Sequence, residues 1–216
     1  MIAALYVESG GCYFGLPDVD PWDAARDARF YNGPHRVIAH PPCERWGRYW
    51  SGGPSARVRR ELGDDGGCFA AALAAVREFG GVLEHPEGSH AFRAFGIHCP
   101  PKSGGWVQKG REWTCCVEQG HYGHPAAKAT WLLYVGDDDP PELKWGKCGA
   151  RIRLDAGFHS ASERARRVKT EVCQCLSRRQ RLATPVPFRD LLMALAQGNR
   201  SVAGGTWPQM DASGVG

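Results

Sequence analysis

Apolar residues along this chain fall into short runs, each closed by glycine, proline or a charged group. The run Met1–Val7 reads as a first strand that stops at Glu8-Ser9-Gly10-Gly11. Residues 14–35 carry little regular pattern beyond a short helix over Pro21–Arg29. Arg36–His40 is a second strand, and Pro41-Pro42 then hold an extended loop that ends on Cys43. Across Asp65–Phe79, the residues Phe69, Leu73, Val76 and Phe79 recur at spacings of four and three, which predicts a helix stopped by Gly80-Gly81. Strand Val82–Glu84 follows, so strand, helix and strand make a βαβ unit and imply a parallel sheet. Residues 86–118 look irregular, Ala129–Val135 is a further strand, and 140–160 has weak β character. A basic helical pattern covers roughly 160–180, Pro187–Ala196 is an amphipathic closing helix, and the tail from Gly198 onward is expected to be disordered.

These elements predict an α/β fold, a Rossmann-like and mostly parallel sheet flanked by helices. Residues 1–136 would form the main domain, 137–197 a small basic segment packed on it, and 198–216 the tail. At 216 residues the chain is one good-sized domain, and 43% hydrophobic content with eight Trp and eight Phe supplies its core. No run approaches about 18 apolar residues. The apolar start is short and lacks a basic flank, so it reads as a strand and not as a signal peptide. A cytoplasmic protein without a membrane partner is expected. Nine scattered cysteines, with no CxxC spacing, suit reduced thiols better than a disulfide framework. Cys115, Cys116, Cys148, Cys173 and Cys175 could converge on zinc, but no spacing fixes a ligand set and no metal is expected. Oligomeric state stays open between monomer and homodimer.

The net charge of +4 is unevenly spread. Residues 151–189 hold ten Lys and Arg against three acids, a net of +7, so the remainder is about −3. A local basic surface suits a phosphate backbone, although a solvated helix face explains it equally well.

Cys43 is the candidate nucleophile, because a strand that stops at Pro-Pro-Cys holds a thiol on a stiff backbone at a sheet's carboxyl edge, where ligands of open α/β proteins bind. Its alternative is an inert, buried cysteine. A free thiol needs neighbouring positive charge to ionise at neutral pH, and Arg45, Arg48 and Lys128 are the candidate sources. Glu84 ends an apolar strand, where burial would raise its pKa and let it donate a proton. A thiol, a carboxylic acid and a cation are what addition to carbon 6 of a pyrimidine needs. The adduct is an enamine whose carbon 5 can attack an electrophile.

Three segments carry a resemblance. Pro42-Cys43-Glu44-Arg45-Trp46-Gly47 resembles the Pro-Cys-Gln nucleophile loop of the cytosine-5 DNA methyltransferases, and Glu84-His85-Pro86 stands where that family has Glu-Asn-Val. Tyr122-Gly123-His124-Pro125-Ala126-Ala127-Lys128 resembles its Tyr-Gly-x-Pro-Gln-x-Arg segment, and Arg181-Leu182-Ala183-Thr184-Pro185-x-x-Phe188 is similar to the carboxyl-terminal stretch of small, phage-type members. Order and spacing agree over roughly residues 36–136. The resemblance implies a fold reduced relative to full-length methyltransferases, catalysis by Cys43, Glu84 and Lys128, and methyl transfer from S-adenosylmethionine to carbon 5 of cytosine in DNA. It places cofactor binding at Glu8, Gly10, Gly11, Asp27 and Pro41. A base in a duplex cannot reach Cys43, so it must be flipped out or single-stranded. Arg45, Trp46, Arg48, Tyr49, Arg164, Arg166, Arg167 and Lys169 would contact the nucleic acid, the aromatics by stacking unless they are core.

The chain departs from the family in its cofactor half. In place of Phe-x-Gly-x-Gly-Gly it has Val7-Glu8-Ser9-Gly10-Gly11, and the 29 residues between Gly11 and Pro41 are too few for the usual adenosine pocket. Asp18, Asp20 and Asp27 are candidates for the missing polar contacts. Two further readings therefore stand beside the first: the same thiol chemistry without S-adenosylmethionine, and a catalytically inactive nucleic-acid-binding relative. His40, His85 and His124, each before a proline, read as hydrogen-bonding loop residues, and Glu118 and Gln119 as structural.

Overall fold

The computed structural model describes residues 1–52, 58, 60–150, 152, 154 and 176–198. Strand β1 (Ile2–Leu5) pairs in parallel with β2 (Val19–Trp22) on one side and β3 (Arg36–Ala39) on the other. Helix α1 (Cys68–Phe79) then carries the chain from β3 to β4 (Gly81–Pro86), which pairs in parallel with β3. The short helix α2 (His90–Ala94) leads to β5 (Val107–Lys109), β6 (Glu112–Glu118) and β7 (Ala129–Val135). These last three strands pair antiparallel with one another, and β7 is antiparallel to β4, giving the order β2-β1-β3-β4-β7-β6-β5. The fold is α/β, but half of the sheet is antiparallel where a mostly parallel one was expected.

Side-chain alternation along the strands builds two cores, one per face of the sheet. Ala3, Leu5, Val37, Ala39, Leu83 and Leu133 meet Phe69, Leu73 and Val76 of α1 and Phe92 of α2. Ile2, Ala4, Ile38, Val82, Leu132 and Tyr134 meet Phe188, Leu191, Leu192 and Leu195 of the closing helix. Numbering in chain order makes α3 Arg178–Leu182 and this closing helix α4, Val186–Gln197. Each fully buried Leu or Phe here contributes about 2 kcal/mol relative to solvent exposure. Gly81 has φ +124°, and a Cβ there would run into the Val37 backbone, so only glycine lets β4 start this close to β3.

Several elements differ from the sequence reading. The stretch expected as a helix over Pro21–Arg29 holds the end of β2 and a single 3₁₀ turn at Ala28–Phe30. β2 tolerates Pro21 because it is an edge strand with no outer neighbour to which an N–H must donate. The supposedly irregular 86–118 contains α2 and the β5–β6 hairpin, whose two-residue turn has Gly110 at φ +64°. Between 140 and 150 there is no strand. The 160–175 helical pattern and the tail beyond Gly198 lie outside the described residues. No helix among the described residues is long and apolar enough to cross a membrane.

Candidate active site

The chain leaves β1 toward β2 at one edge, then returns past β1 to β3. β1 and β3 stay paired to their carboxyl ends, at Leu5 and Ala39, but the connections that leave them run to opposite sides, and in open α/β sheets this reversal opens a ligand crevice. A cavity of about 910 Å³ sits there, lined by Tyr6, Glu8, Tyr13, Pro41, Cys43, Glu84 and Lys128 among others. Each of the three proposed catalytic residues reaches it from a different element. Cys43 comes from the loop after β3, Glu84 from within β4, and Lys128 from the segment before β7.

Cys43 opens a tight turn, with its carbonyl accepting from the backbone N–H of Trp46 at 3.0 Å and of Gly47 at 2.8 Å. Burial pushes its thiol pKa up and the Glu84 carboxylate adds to that, while Lys128 pulls it down without prevailing. The resting group is a protonated thiol, not the thiolate that basic neighbours were expected to produce. Arg45 and Arg48 are not among the principal charges acting on it.

Glu84 departs from expectation in the opposite sense. Burial pushes its pKa up, but the His40 hydrogen bond, Lys128 and the neighbouring imidazoles outweigh burial and bring it down to about 2. It is a carboxylate at neutral pH and holds no proton to donate. His40 Nδ1 lies 3.1 Å from Oε2, and Gln119 Nε2 donates to Oε1 at 3.2 Å and to Thr130 Oγ1 at 2.9 Å. An ionised carboxylate only accepts, so His40 donates from Nδ1, and in the neutral ring Nε2 accepts from the Tyr13 hydroxyl at 2.9 Å. Tyr13, His40, Glu84, Gln119 and Thr130 thus form one hydrogen-bonded chain that fixes the carboxylate in the crevice. Sequence reasoning took Gln119 as structural and did not single out Tyr13 or Thr130. With residues 86–118 read as irregular, no strand end pointed to Gln119.

His85 and His124 are buried framework groups. His85 Nδ1 is 2.7 Å from Ser89 Oγ, its ring packs edge-on against Phe69, and burial lowers its pKa to about 4. His124 Nδ1 lies 3.1 Å from the Ala126 backbone nitrogen.

The other expected contacts divide. Glu8, Gly11 and Pro41 line the cavity, whereas Gly10 and Asp27 do not. Asp27 caps the 3₁₀ turn and pairs with Arg29 at 2.5 Å. Asp20 is held by Arg26 at 2.5 Å and by the Trp22 indole at 2.8 Å, and Asp23 accepts from Ser9 at 2.6 Å. The carboxylates on and just after β2, where an adenosine ribose would be gripped, are thus already engaged.

No family model, curated protein or solved structure matches this chain.

Among the expected nucleic-acid contacts, Trp46 is core: it is 6% exposed, packs on Phe69 and Phe95, and donates from Nε1 to Asp65 at 2.8 Å. It is not available to stack on a base. Tyr49 and Arg48 are exposed on the same loop, and Arg45 is half-buried. Arg164, Arg166, Arg167 and Lys169 lie outside the described residues, as do Cys173 and Cys175.

Proposed function

We propose that this protein is a pyrimidine-modifying enzyme acting on DNA, with a reduced Rossmann-like catalytic domain, and that Cys43 adds to carbon 6 of the base. The observation that carries this reading is the convergence of Cys43, Glu84 and Lys128 on one crevice, with Glu84 clamped on both oxygens. Their charge states suggest the proton route. Cys43 enters as a thiol and Glu84 as a carboxylate, so the thiol proton moves to Glu84 as the carbon–sulfur bond forms, and Glu84 passes it to ring nitrogen 3. Lys128 offsets the negative charge that builds on sulfur and ring. The product is a neutral enamine whose carbon 5 bonds to the electrophile; loss of the proton from the now tetrahedral carbon 5, with the thiol expelled and the ring nitrogen 3 proton returned to it through Glu84, restores the aromatic base. Transfers of this type by a positioned carboxyl typically contribute about 10²–10⁴ in rate.

Methyl transfer from S-adenosylmethionine to cytosine is the form of this chemistry that the sequence resemblance implies. The engaged Asp20, Asp23 and Asp27 favour a second form, in which the same adduct meets a different electrophile. Incubation with a cytosine-containing single-stranded oligonucleotide and S-adenosylmethionine, read by mass spectrometry, separates the two. A one-carbon gain that disappears in Cys43→Ser supports methyl transfer. An unchanged oligonucleotide, with no saturable binding of S-adenosylmethionine by calorimetry, rejects that donor.

A further inference from the structure

The crevice is wider than a pyrimidine ring requires, near the top of the ~300–1,000 Å³ range of small-molecule sites. Its outer wall is helix α3, which contributes Arg178, Arg179 and Arg181 to the lining. Arg178 is already neutralised, at 2.9 Å from Glu44, the residue next to the nucleophile. Among the described residues, Arg179 and Arg181 make no ion pair. The Arg181 Nε is withdrawn from solvent and has no hydrogen-bond acceptor, an arrangement that costs free energy until an acceptor arrives. Glu84, also in this lining, accepts from His40 and Gln119, and among the described residues no ion pair joins it to either arginine.

We infer that Arg179 and Arg181 form a phosphate-binding subsite on the rim of the crevice, which takes the phosphate of the nucleotide whose base enters toward Cys43. Guanidinium groups match phosphate oxygens in geometry and stay charged in a partly buried setting. The Arg178–Glu44 pair links the Cys43 loop to the same helix, so phosphate and thiol would be approached from neighbouring elements. The phosphate belongs either to a free nucleotide or to a strand, and the inference rests on the pyrimidine reading only for what lies beyond the phosphate.

The test is calorimetric titration of the full chain with deoxycytidine, its 5′-monophosphate, a short single-stranded cytosine oligonucleotide and the same oligonucleotide with one abasic sugar. The phosphorylated probes are expected to bind about tenfold or more tighter than the nucleoside. Arg179→Ala and Arg181→Ala should each remove most of that advantage, with Arg178→Ala doing less, and should lower the salt slope for the oligonucleotide by about 1 per arginine. A gain shared by the monophosphate assigns a free nucleotide, and a gain confined to oligonucleotides assigns a strand. If the abasic strand binds as well as the cytosine strand and still depends on the arginines, the phosphate subsite holds and the pyrimidine reading fails. If a folded Arg179→Ala/Arg181→Ala double variant binds every probe as the unmodified protein does, the subsite is refuted.

Discussion

The two sides of the crevice are built to different standards. On the β3–β4–β7 side, functional groups from distant parts of the chain are locked together. Glu84 accepts from His40 and Gln119, His40 meets Tyr13, and Lys128 acts on both Glu84 and Cys43. On the β1–β2 side the polar residues satisfy one another locally: Asp20 with Arg26, Asp27 with Arg29, Asp23 with Ser9. The first side joins its polar groups into one network across several strands, while the second pairs its groups within the β1–β2 edge. The three residues proposed to act on the base therefore all come from the β3–β4–β7 side.

Removing the thiol breaks this contrast most severely. Cys43→Ser should abolish base modification by several orders of magnitude while leaving oligonucleotide binding within about threefold, measured by product mass and fluorescence anisotropy. Unchanged modification would move the chemistry elsewhere, and a protein that only binds would show none before or after the substitution.

Loosening the carboxylate clamp comes next. Glu84→Gln should lower turnover by about 10²–10³ and Gln119→Ala or His40→Ala by about 10-fold each, because they position Glu84 and do not touch the base. The same Glu84→Gln change should make Cys43 alkylate faster with iodoacetamide at pH 7–8, since the carboxylate now raises the thiol pKa, and Lys128→Met should slow it. Equal alkylation in all three proteins would remove the electrostatic coupling from the account.

Acid stability gives a third, smaller effect. His85 is buried in its neutral form, with its pKa lowered from 6.5 to about 4. The unfolded chain binds the proton first, so this contribution is complete above pH 6.5 and is lost as pH falls toward 4, as much as about 3 kcal/mol. Glu84, lowered from 4.5 to about 2, adds a second loss in the window below that. Denaturant midpoints measured from pH 7 to pH 3 should decline in this order, and a flat profile between 6.5 and 4 would contradict the buried neutral imidazole.

The smallest effects belong to the β1–β2 side. Asp20→Asn and Asp27→Asn should leave turnover within about twofold and thermal midpoints little changed, as expected of exposed ion pairs. A large loss of turnover in either variant would show that this side does hold a donor.

The same division governs what could be read from the sequence. The Pro-Pro-Cys loop, α1, β4 and β7 were legible because each is a short apolar period bounded by glycine, proline or charge. β2 was not, because Pro21 is tolerated only on an edge strand, and edges are a property of the assembled sheet. Cys43, Glu84 and Lys128 could be named from local pattern, but their charge states could not. The His40 and Gln119 partners that reverse the expected shift of Glu84 lie 44 and 35 residues away in the chain. Trp46 stood evenly between a stacking and a core reading, and its packing on Phe69 and Phe95 decides for the core.

Addition of Cys43 to carbon 6 is the central claim, and it can be measured without knowing any donor. In heavy water, the enamine picks up deuterium at carbon 5 before the thiol leaves, so the protein alone should exchange that hydrogen in a cytosine oligonucleotide. Loss of the carbon 5 proton signal in the presence of the unmodified protein, and its persistence with Cys43→Ser, is the predicted result. Persistence of the signal with both proteins, under conditions where the oligonucleotide is bound, would contradict the account.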